Sequence, residues 1–411
     1  MSLGPAGRGR GRAFVALRSP VFAAWFAAQI LAASGVMTQV AGMSWLTLEL
    51  GGGVWELAWV GTAGLIPILV GSPWGGLLAD RLPRRGVLMA TQCAYVVLGL
   101  FLAFATVSGV ASVTLLVIVS FVTGAVTALD APARQVFVMD LVGPERLTSA
   151  ISLQEIVING SRVVGPAVGG VLIASAGPAA CFLVNGLAYL VPLAVLLFAR
   201  TRSARSELPV ATNVWAGVVF TARQPMVRAV MIVAIPTTVI FNTGLLYPLW
   251  TRDLLEVDAS GYGILMAAFG LGALPGALAA ASIHDRPSWR ATLVLGAVTG
   301  VVFAVLPYLP QFWQATVGMA TVGFASIWFA TLANTLLQLS APPELRGRVM
   351  GIWTMIVPGA GVLTYPLIGI VTDSTGTAMG FVAVGIALVV TAAVGWLGIA
   401  RTRPAAGRLA P

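Results

Sequence analysis

The sequence has very few charged or chemically reactive side chains. Charged residues make up 9% of the 411 residues, there is one histidine, there are two cysteines, and lysine is absent. A soluble domain carries about 25% charged residues, so a soluble enzyme, a secreted module and a nucleic-acid binder are excluded. His284, Cys93 and Cys181 supply neither a metal cluster nor a disulfide framework. Without lysine there is also no ATP-binding loop of the Gly-x-x-x-x-Gly-Lys-Ser/Thr type.

Long apolar runs occupy most of the chain, of which 58% is hydrophobic. Runs of about 20 residues are long enough to cross a hydrocarbon core of about 30 Å. We therefore predict an all-α polytopic membrane protein with twelve transmembrane helices. The first run is too long for a cleavable signal peptide, so we expect it to be retained. The predicted spans are 21–47, 55–78, 86–107, 111–133, 148–174, 178–199, 228–250, 261–282, 290–308, 311–338, 349–372 and 378–399.

The arginines are concentrated on one side of this predicted topology. All 23 basic residues are arginine. All but Arg162 and Arg252 lie in the tails, in the loops or at the first residue of a span, on the side that a cytoplasmic N-terminus places inside. The positive-inside rule then predicts that both termini lie in the cytoplasm. We expect the protein to be located in the inner membrane of a prokaryote. The acidic residues gathered on the opposite side are Glu49, Glu56, Asp253, Glu256, Asp258 and Asp373.

The longest polar interval, 200–227, lies near the midpoint and divides six spans from six. We predict a cytoplasmic tail at 1–19, one six-helix bundle at 20–199, a cytoplasmic central loop at 200–227, a second bundle at 228–399 and a tail at 400–411. An apolar patch at 215–220 fits either a helix on the membrane surface or a simple linker. Motifs beginning at Pro144 and Gly165 recur about 200 residues later, beginning at Pro343 and Tyr365, which indicates two parallel repeats.

The loop after the second span combines a carboxylate with arginines. Its small residues permit close helix packing, and its arginines can reach lipid phosphates or acidic side chains, although an ordinary positive-inside loop is the alternative. The loop resembles that of the major facilitator superfamily, Gly-x-x-x-Asp-Arg-x-x-Arg-Arg, and departs from it only at Pro83. The resemblance implies a cytoplasmic gate. The matching residues are Gly76, Asp80, Arg81, Arg84 and Arg85.

A second polar stretch, 130–135, closes the fourth predicted span. Pro132 removes a backbone donor and is expected to stop or bend the helix there. Arg134 then lies at the cytoplasmic surface, where the family's architecture implies that it pairs with Asp80 in the gate. The alternative is that Arg134 only anchors the chain to lipid headgroups.

The fifth predicted span carries a glycine-rich motif. Gly165 and Gly169 share one helix face and Pro166 permits a bend, so tight packing is the simpler interpretation. The motif also resembles the fifth-helix motif of antiporters and exporters in the superfamily. Similarity over most of the chain further indicates the branch that exports drugs and siderophores. The residues assigned to the motif are Arg162, Gly165, Pro166, Gly169 and Gly170.

Ionisable and polar residues inside spans are costly and are therefore functional candidates. Glu155 is the first candidate for proton coupling and Asp130 the second, although Asp130 also lies near enough to a helix end to reach the interface. Several polar or aromatic residues can line a cavity or, alternatively, join helices or belong to the interfacial aromatic belt. The cavity candidates are Gln29, Asn159, Asn242, Asn334 and Trp328, with Trp25 and Tyr247 as further aromatic candidates.

These features together predict a secondary transporter and not an enzyme. We expect two bundles that alternate access to a central site and export an amphipathic small molecule by proton antiport. No cofactor is required beyond the proton gradient. The expected partners are the lipid bilayer and the cargo, with no nucleic acid, and a monomer suffices because one chain holds both bundles. An importer of the same fold and, less favoured, a passive channel are the alternatives.

Overall fold

The computed structural model describes residues 15–198, 214–241, 244–282 and 288–402, in which the chain forms fourteen α-helices and no strand. Most helices are joined by turns of a few residues. The helices are α1 Pro20–Glu49, α2 Val54–Arg81, α3 Arg84–Val107, α4 Val113–Val142, α5 Leu147–Ala176, α6 Pro178–Phe198, α7 Val214–Arg223, α8 Pro225–Phe241, α9 Leu246–Asp253, α10 Ala259–Ser282, α11 Trp289–Val305, α12 Phe312–Ser340, α13 Pro343–Thr375 and α14 Thr377–Thr402.

The helices are long and apolar enough for a polytopic membrane protein, as the composition predicts. Within the described ranges, ten helices satisfy this test, and α8 with α9 forms an eleventh if the two are counted as one bent span. The helix α13, with 33 residues, occupies the position of the eleventh predicted span. The predicted all-helical membrane fold is confirmed. The helix α7 lies in the predicted central loop.

Two predicted spans differ in detail from the structure. The seventh is predicted as one span, but α8 and α9 meet at 45° across a short break that includes Gly244, a residue type of low helix propensity. The fourth is predicted to stop or bend at Pro132, and α4 does not stop there but continues through that proline to Val142. Proline removes only one backbone hydrogen bond, and neighbouring helices in a bundle support the helix on both sides of it.

The chain divides into two compact units. The first comprises Met1–Gly52 and Ala63–Glu207, and the second comprises Gly53–Thr62 and Leu208–Pro411. The second unit thus includes the first turns of α2, where the Trp55 indole Nε1 donates to Asp373 Oδ2 at 3.1 Å. The unit boundary differs from the predicted bundle boundary at this short segment, because its contacts are made with α13.

In each unit a pair of glycines allows two helices of that unit to approach closely, and the two pairs lie on equivalent helices. A methyl group added at Gly99 of α3 would lie 2.8 Å from the Cα of Gly186 in α6. A methyl group added at Gly300 of α11 would lie 2.7 Å from the carbonyl oxygen of Gly385 in α14. The second pair follows the first by about 200 residues, the spacing of the sequence repeat. Small residues at such crossings allow helix backbones to approach closely in a membrane.

The same repeat also appears at the ends of two helices. Gly177 ends α5 with φ of 78°, and its N–H donates to Ile173 O at 3.0 Å. Gly376 ends α13 with φ of 92°, and its N–H donates to Thr372 O at 2.9 Å. Glycine is favoured at both positions because it adopts positive φ without a Cβ clash. Equivalent helices of the two units therefore end in the same way.

Candidate functional site

A carboxylate and a guanidinium on one helix form the centre of the candidate site. Asp130 and Arg134 lie one turn apart on α4, so their side chains share a face, and Asp130 Oδ2 lies 2.7 Å from an Arg134 guanidinium nitrogen. The Asp130 side chain is 3% exposed, whereas that of Arg134 is 32% exposed. The alternative in which Asp130 reaches the interface does not apply in this structure, because the side chain is buried and α4 continues for three more turns beyond it.

The second oxygen of the carboxylate is bound by the neighbouring helix α3. Thr91 Oγ1 lies 2.7 Å from Asp130 Oδ1, and Gln92 Nε2 donates to the same oxygen at 2.8 Å. A buried charge is tolerated when it is paired and its remaining lone pairs are hydrogen-bonded. Both Asp130 oxygens therefore have partners in this structure.

The guanidinium of Arg134 connects α4 to α1. It donates to Gln29 Oε1 at 3.0 Å, and Gln29 is itself buried. Gln29 was predicted as a cavity residue, but in this structure its amide oxygen binds the arginine. Three helices, α1, α3 and α4, thus contribute to one polar cluster. Asp130 is its buried member and Arg134 its accessible one.

An aromatic pair lies beside this polar cluster. Tyr95, one turn along α3 from Thr91, has its hydroxyl 2.9 Å from Thr127 Oγ1 of α4. The Tyr95 ring stacks on Tyr189 of α6 with centroids 4.3 Å apart. Both tyrosines are buried and pack against apolar residues that include Ala32. The carboxylate therefore lies next to low-polarity surroundings, where an uncompensated charge would be costly.

The described arginines of the predicted gate motif bind within the first unit. Arg84 Nη1 lies 2.9 Å from both carboxylate oxygens of Asp140 in α4. Arg85 donates through Nε to Leu196 O at 2.8 Å and through Nη2 to Leu197 O at 3.0 Å, which satisfies carbonyls at the end of α6. These two arginines connect α3 to α4 and α6.

The glycine motif of α5 packs against α1. A methyl group at Gly165 would lie 2.7 Å from Ser34 O, and one at Gly169 would lie 3.0 Å from Ala41 Cβ. Thr38 Oγ1 also donates to Gly165 O at 2.9 Å. Pro166 and Gly170 are buried in the same helix, while Arg162 is half-buried. The motif therefore forms a tight helix contact, as the simpler interpretation expects.

The remaining cavity candidates have different surroundings in the structure. Asn334 accepts from Gln338 Nε2 at 2.5 Å on α12. The Trp328 ring packs edge-on against Phe324 with centroids 5.2 Å apart, and Trp328 Nε1 is buried with no hydrogen-bond partner among the described residues. Trp25 and Tyr247 are almost completely buried in their units, where their apolar area and ring contacts stabilise the cores. Their role as aromatic candidates for a cavity stays a prediction.

The second unit contains an apolar cavity of about 270 Å³ between α8, α13 and α14, which is open on one side, where Leu367 is exposed. Its lining presents hydrocarbon throughout. The lining residues include Ile232, Pro236 and Val239 of α8, Leu367 and Ile368 of α13, and Val384 and Ala387 of α14.

Comparison with known proteins identifies the family. The family described as transmembrane secretion effector matches residues 12–405, which is nearly the whole chain. The chain belongs to the major facilitator superfamily. Within the superfamily, its relatives place it in the branch of drug and siderophore exporters. It is a multi-pass transporter of the prokaryotic plasma membrane and not an enzyme.

Two relatives illustrate this similarity. The multidrug efflux pump Tap of Mycolicibacterium fortuitum is 30% identical over 399 residues, which cover 92% of this chain and 95% of the pump. The enterobactin exporter EntS of Escherichia coli O1:K1 / APEC is 26% identical over 344 residues, which cover 78% and 79%.

Solved structures of major facilitator proteins share the fold. A bacterial homologue of the human lysosomal transporter Spinster, inward-facing and occupied, superposes with a TM-score of 0.72 at 14% identity, covering 94% of this chain and 97% of that one. A D-xylose–proton symporter gives a TM-score of 0.69 at 15% identity, covering 93% and 96%. At such low identity these likenesses establish the fold alone.

Several predicted residues of this major facilitator transporter lie outside the described part of the structure. This applies to Asn242, to the surroundings of Gly76, and to the side chains of Asp80, Arg81, Glu155 and Asn159. The proposed pairing of Asp80 with Arg134 therefore stays a prediction. Among the described residues, the Arg134 guanidinium binds Asp130 and Gln29.

Sequence reasoning missed the partners that other helices contribute to the transporter's charged groups. These are Thr91 and Gln92 for Asp130, and Asp140 for Arg84. A signal was present, because Thr91 and Gln92 are adjacent polar residues in an apolar span, where polar side chains need partners.

Proposed function

We propose that this transporter exports an amphipathic small molecule in exchange for protons, and that Asp130 is the carboxyl group that binds the transported proton. The observation that carries the proposal is the division of exposure within the pair, with a buried carboxylate and an accessible guanidinium. Glu155 is the first candidate from sequence. We prefer Asp130 because its surroundings supply a physical mechanism.

The mechanism depends on whether Arg134 contacts Asp130. While the contact is present, the carboxylate is paired and hydrogen-bonded and remains charged. If Arg134 moves away to bind cargo or another carboxylate, Thr91 and Gln92 remain as partners, but the charge is then buried without a cation. An unpaired buried charge costs several kcal/mol, so proton uptake becomes favourable. Return of Arg134 displaces the proton.

The Asp130 carboxylate therefore binds either a proton or Arg134, but not both. This gives the transporter two states with different affinity for a proton, which coupled transport requires. We propose that the two states open toward opposite sides of the membrane as the two units alternate access. The arginine-bearing ends of the helices and both termini would face the cytoplasm, following the positive-inside rule. The transporter would act as a monomer, with the proton gradient in place of a cofactor.

The proposed cargo class follows from the relatives and from the composition of the spans. Tap is named a multidrug efflux pump and EntS an enterobactin exporter. Few charged side chains are available inside the spans to bind a highly charged solute, and the cavity of the second unit offers an apolar surface. A molecule with an extended apolar part fits such surroundings better than a sugar or a phosphate ester.

The experiment uses proteoliposomes with an imposed pH gradient and ethidium, a fluorescent amphipathic cation, as probe. We expect the wild type to move ethidium against its gradient, and Asp130→Asn to lose this gradient-driven movement while retaining ethidium exchange without a pH gradient. Glu145→Gln, which removes an exposed carboxylate of the same unit, is the matched control and should behave as wild type.

Three results would contradict parts of the proposal. Gradient-driven transport by Asp130→Asn at the wild-type rate would exclude Asp130 as the coupling group, and Glu155→Gln would be the next variant. Ethidium movement down its gradient that is insensitive to pH would indicate a channel. Accumulation in the same direction as proton flow would indicate an importer.

A further inference from the structure

Two tryptophans and one arginine meet at one end of the second unit. Trp289 at the start of α11 and Trp396 near the end of α14 have ring centroids 5.1 Å apart, at an interplanar angle of 55°. The guanidinium carbon of Arg290 lies 5.5 Å from the Trp289 ring centroid and 5.8 Å from that of Trp396. Both distances are within the range of cation–π attraction. We call these three residues the Arg290 cluster.

The Arg290 cluster lies at the end of an exposed apolar face. On α11, Val294, Val298 and Val301 follow Arg290 at helical spacing, and each is between 45% and 54% exposed. On α14, Val390, Val394 and Leu397 form a similar exposed row beside Trp396. Residues three and four apart share a helix face. In helices long enough to span a bilayer, such exposed apolar rows face lipid chains.

Arg290 is an exposed cation, and none of the described residues forms an ion pair with it. A guanidinium stacked on an aromatic ring keeps its N–H groups available at its edge, and their fork matches two phosphate oxygens. Indoles are favoured at the boundary between headgroups and acyl chains. The three parts of the site therefore match the three parts of a phospholipid. The guanidinium lies where the headgroup would lie, the indole rings where the glycerol region would lie, and the apolar rows where the acyl chains would lie.

We propose that the Arg290 cluster binds the headgroup phosphate of an anionic phospholipid, whose acyl chains lie on the exposed rows of α11 and α14. A headgroup with net negative charge is favoured over a zwitterionic one, because the cluster is positive and includes no carboxylate among its members. A free phosphate ion would use the guanidinium but not the apolar rows. The proposal is independent of cargo, coupling ion and direction of transport.

The experiment measures lipid binding to the purified full-length protein by native mass spectrometry. Phosphatidylglycerol, phosphatidylcholine and inorganic phosphate are supplied as separate ligands. We expect phosphatidylglycerol to bind the wild type more tightly than phosphatidylcholine, and inorganic phosphate in equimolar amounts not to displace it. Arg290→Gln should weaken phosphatidylglycerol binding about tenfold, the effect of losing a charge-assisted hydrogen-bond pair.

Two further variants separate the role of the rings from that of charge alone. Trp396→Leu keeps the charge and an apolar side chain, and should weaken phosphatidylglycerol binding about threefold through loss of the cation–π contact. Arg228→Gln is the matched control. It removes an exposed arginine near the start of α8 that has no indole pair among the described side chains and donates to Ala222 O, so binding should change less than about twofold.

Each alternative result overturns the proposal in a different way. Equal binding of phosphatidylglycerol to Arg290→Gln and the wild type would exclude the site. Equal loss in Arg228→Gln would show a general charge effect. Equal affinity for the two lipids would exclude selection for an anionic headgroup, and displacement by equimolar inorganic phosphate would show a phosphate site without a lipid. Circular dichroism of each variant establishes that loss of binding is not loss of fold.

Discussion

The guanidinium of Arg84 at the start of α3 binds the carboxylate of Asp140 near the end of α4, with Nη1 lying 2.9 Å from both oxygens. Their side chains are 9% and 13% exposed, so the pair is largely shielded from solvent. A buried charge that loses its partner is strongly destabilising, whereas an exposed ion pair contributes little. The burial of the pair therefore decides how much it contributes to the stability of the protein.

We predict that Arg84→Ala destabilises the protein by about 3–5 kcal/mol, because Asp140 would remain buried without its cation. Denaturant unfolding in detergent micelles measures this change. Arg252→Ala, which removes an exposed arginine paired with Asp253, is the comparison and should cost at most about 1 kcal/mol. Equal losses in the two variants would show that burial of the Arg84 pair is unimportant.

Gly165 provides a test of the α1–α5 contact. Gly165→Ala would place a methyl group against Ser34 O and Met37 Cβ, and we expect a loss of about 1–3 kcal/mol from overpacking. Gly160 lies on the same helix with open space around its added Cβ. Gly160→Ala should be neutral or stabilising by up to about 1 kcal/mol, since alanine has the higher helix propensity. Thermal unfolding of both variants gives the comparison, and a Gly165→Ala variant as stable as the wild type would contradict the packing.

The internal repeat predicts paired effects in the two units. Gly99→Ala in α3 and Gly300→Ala in α11 should each destabilise by about 1–3 kcal/mol, because both added methyl groups meet the backbone of a facing helix. Gly398→Ala in α14 is the control, since no atom lies within 4 Å of its added Cβ. Limited proteolysis and unfolding curves measure the losses. A large effect in one unit and none in the other would show that the two crossings are not equivalent.

Asp258 gives a prediction for pH dependence outside the spans. Hydrogen bonds from the Ser260 hydroxyl, and then from the Gly261 and Ser260 N–H groups, lower the pKa of Asp258. A lowered folded-state pKa means that this stabilisation is present above the unfolded pKa of about 3.9 and is lost as the pH falls through the folded value. Asp258→Ala should therefore lower Tm at pH 7 and have progressively less effect as the pH falls below about 4.

Asp258→Asn is the matched control for this measurement. Asparagine keeps a capping oxygen but does not titrate in this range, so its Tm difference from Asp258→Ala should not depend on pH. If the difference between wild type and Asp258→Ala stays constant down to acidic pH, the charge of Asp258 does not contribute to the cap.

The amino-acid sequence by itself determined the class of this protein, an all-helical membrane protein, and its family. Those features depend on local quantities, namely the length and apolarity of each run and the types of residue in short motifs. The span occupied by α13 and the repeat of about 200 residues were predicted in this way.

Only the tertiary structure decided which charges are paired and which helices continue. Pro132 lies within α4 and Asp130 is buried. The partners of Asp130 come from α3 and that of Arg134 from α1, and both helices are distant in sequence from α4. Whether Gln29 lines a cavity or binds Arg134 depends on the rotation and tilt of α1 against α4. Hydropathy contains no information on helix rotation, since lipid-facing and bundle-facing sides are both apolar, so packing between helices selects the partners.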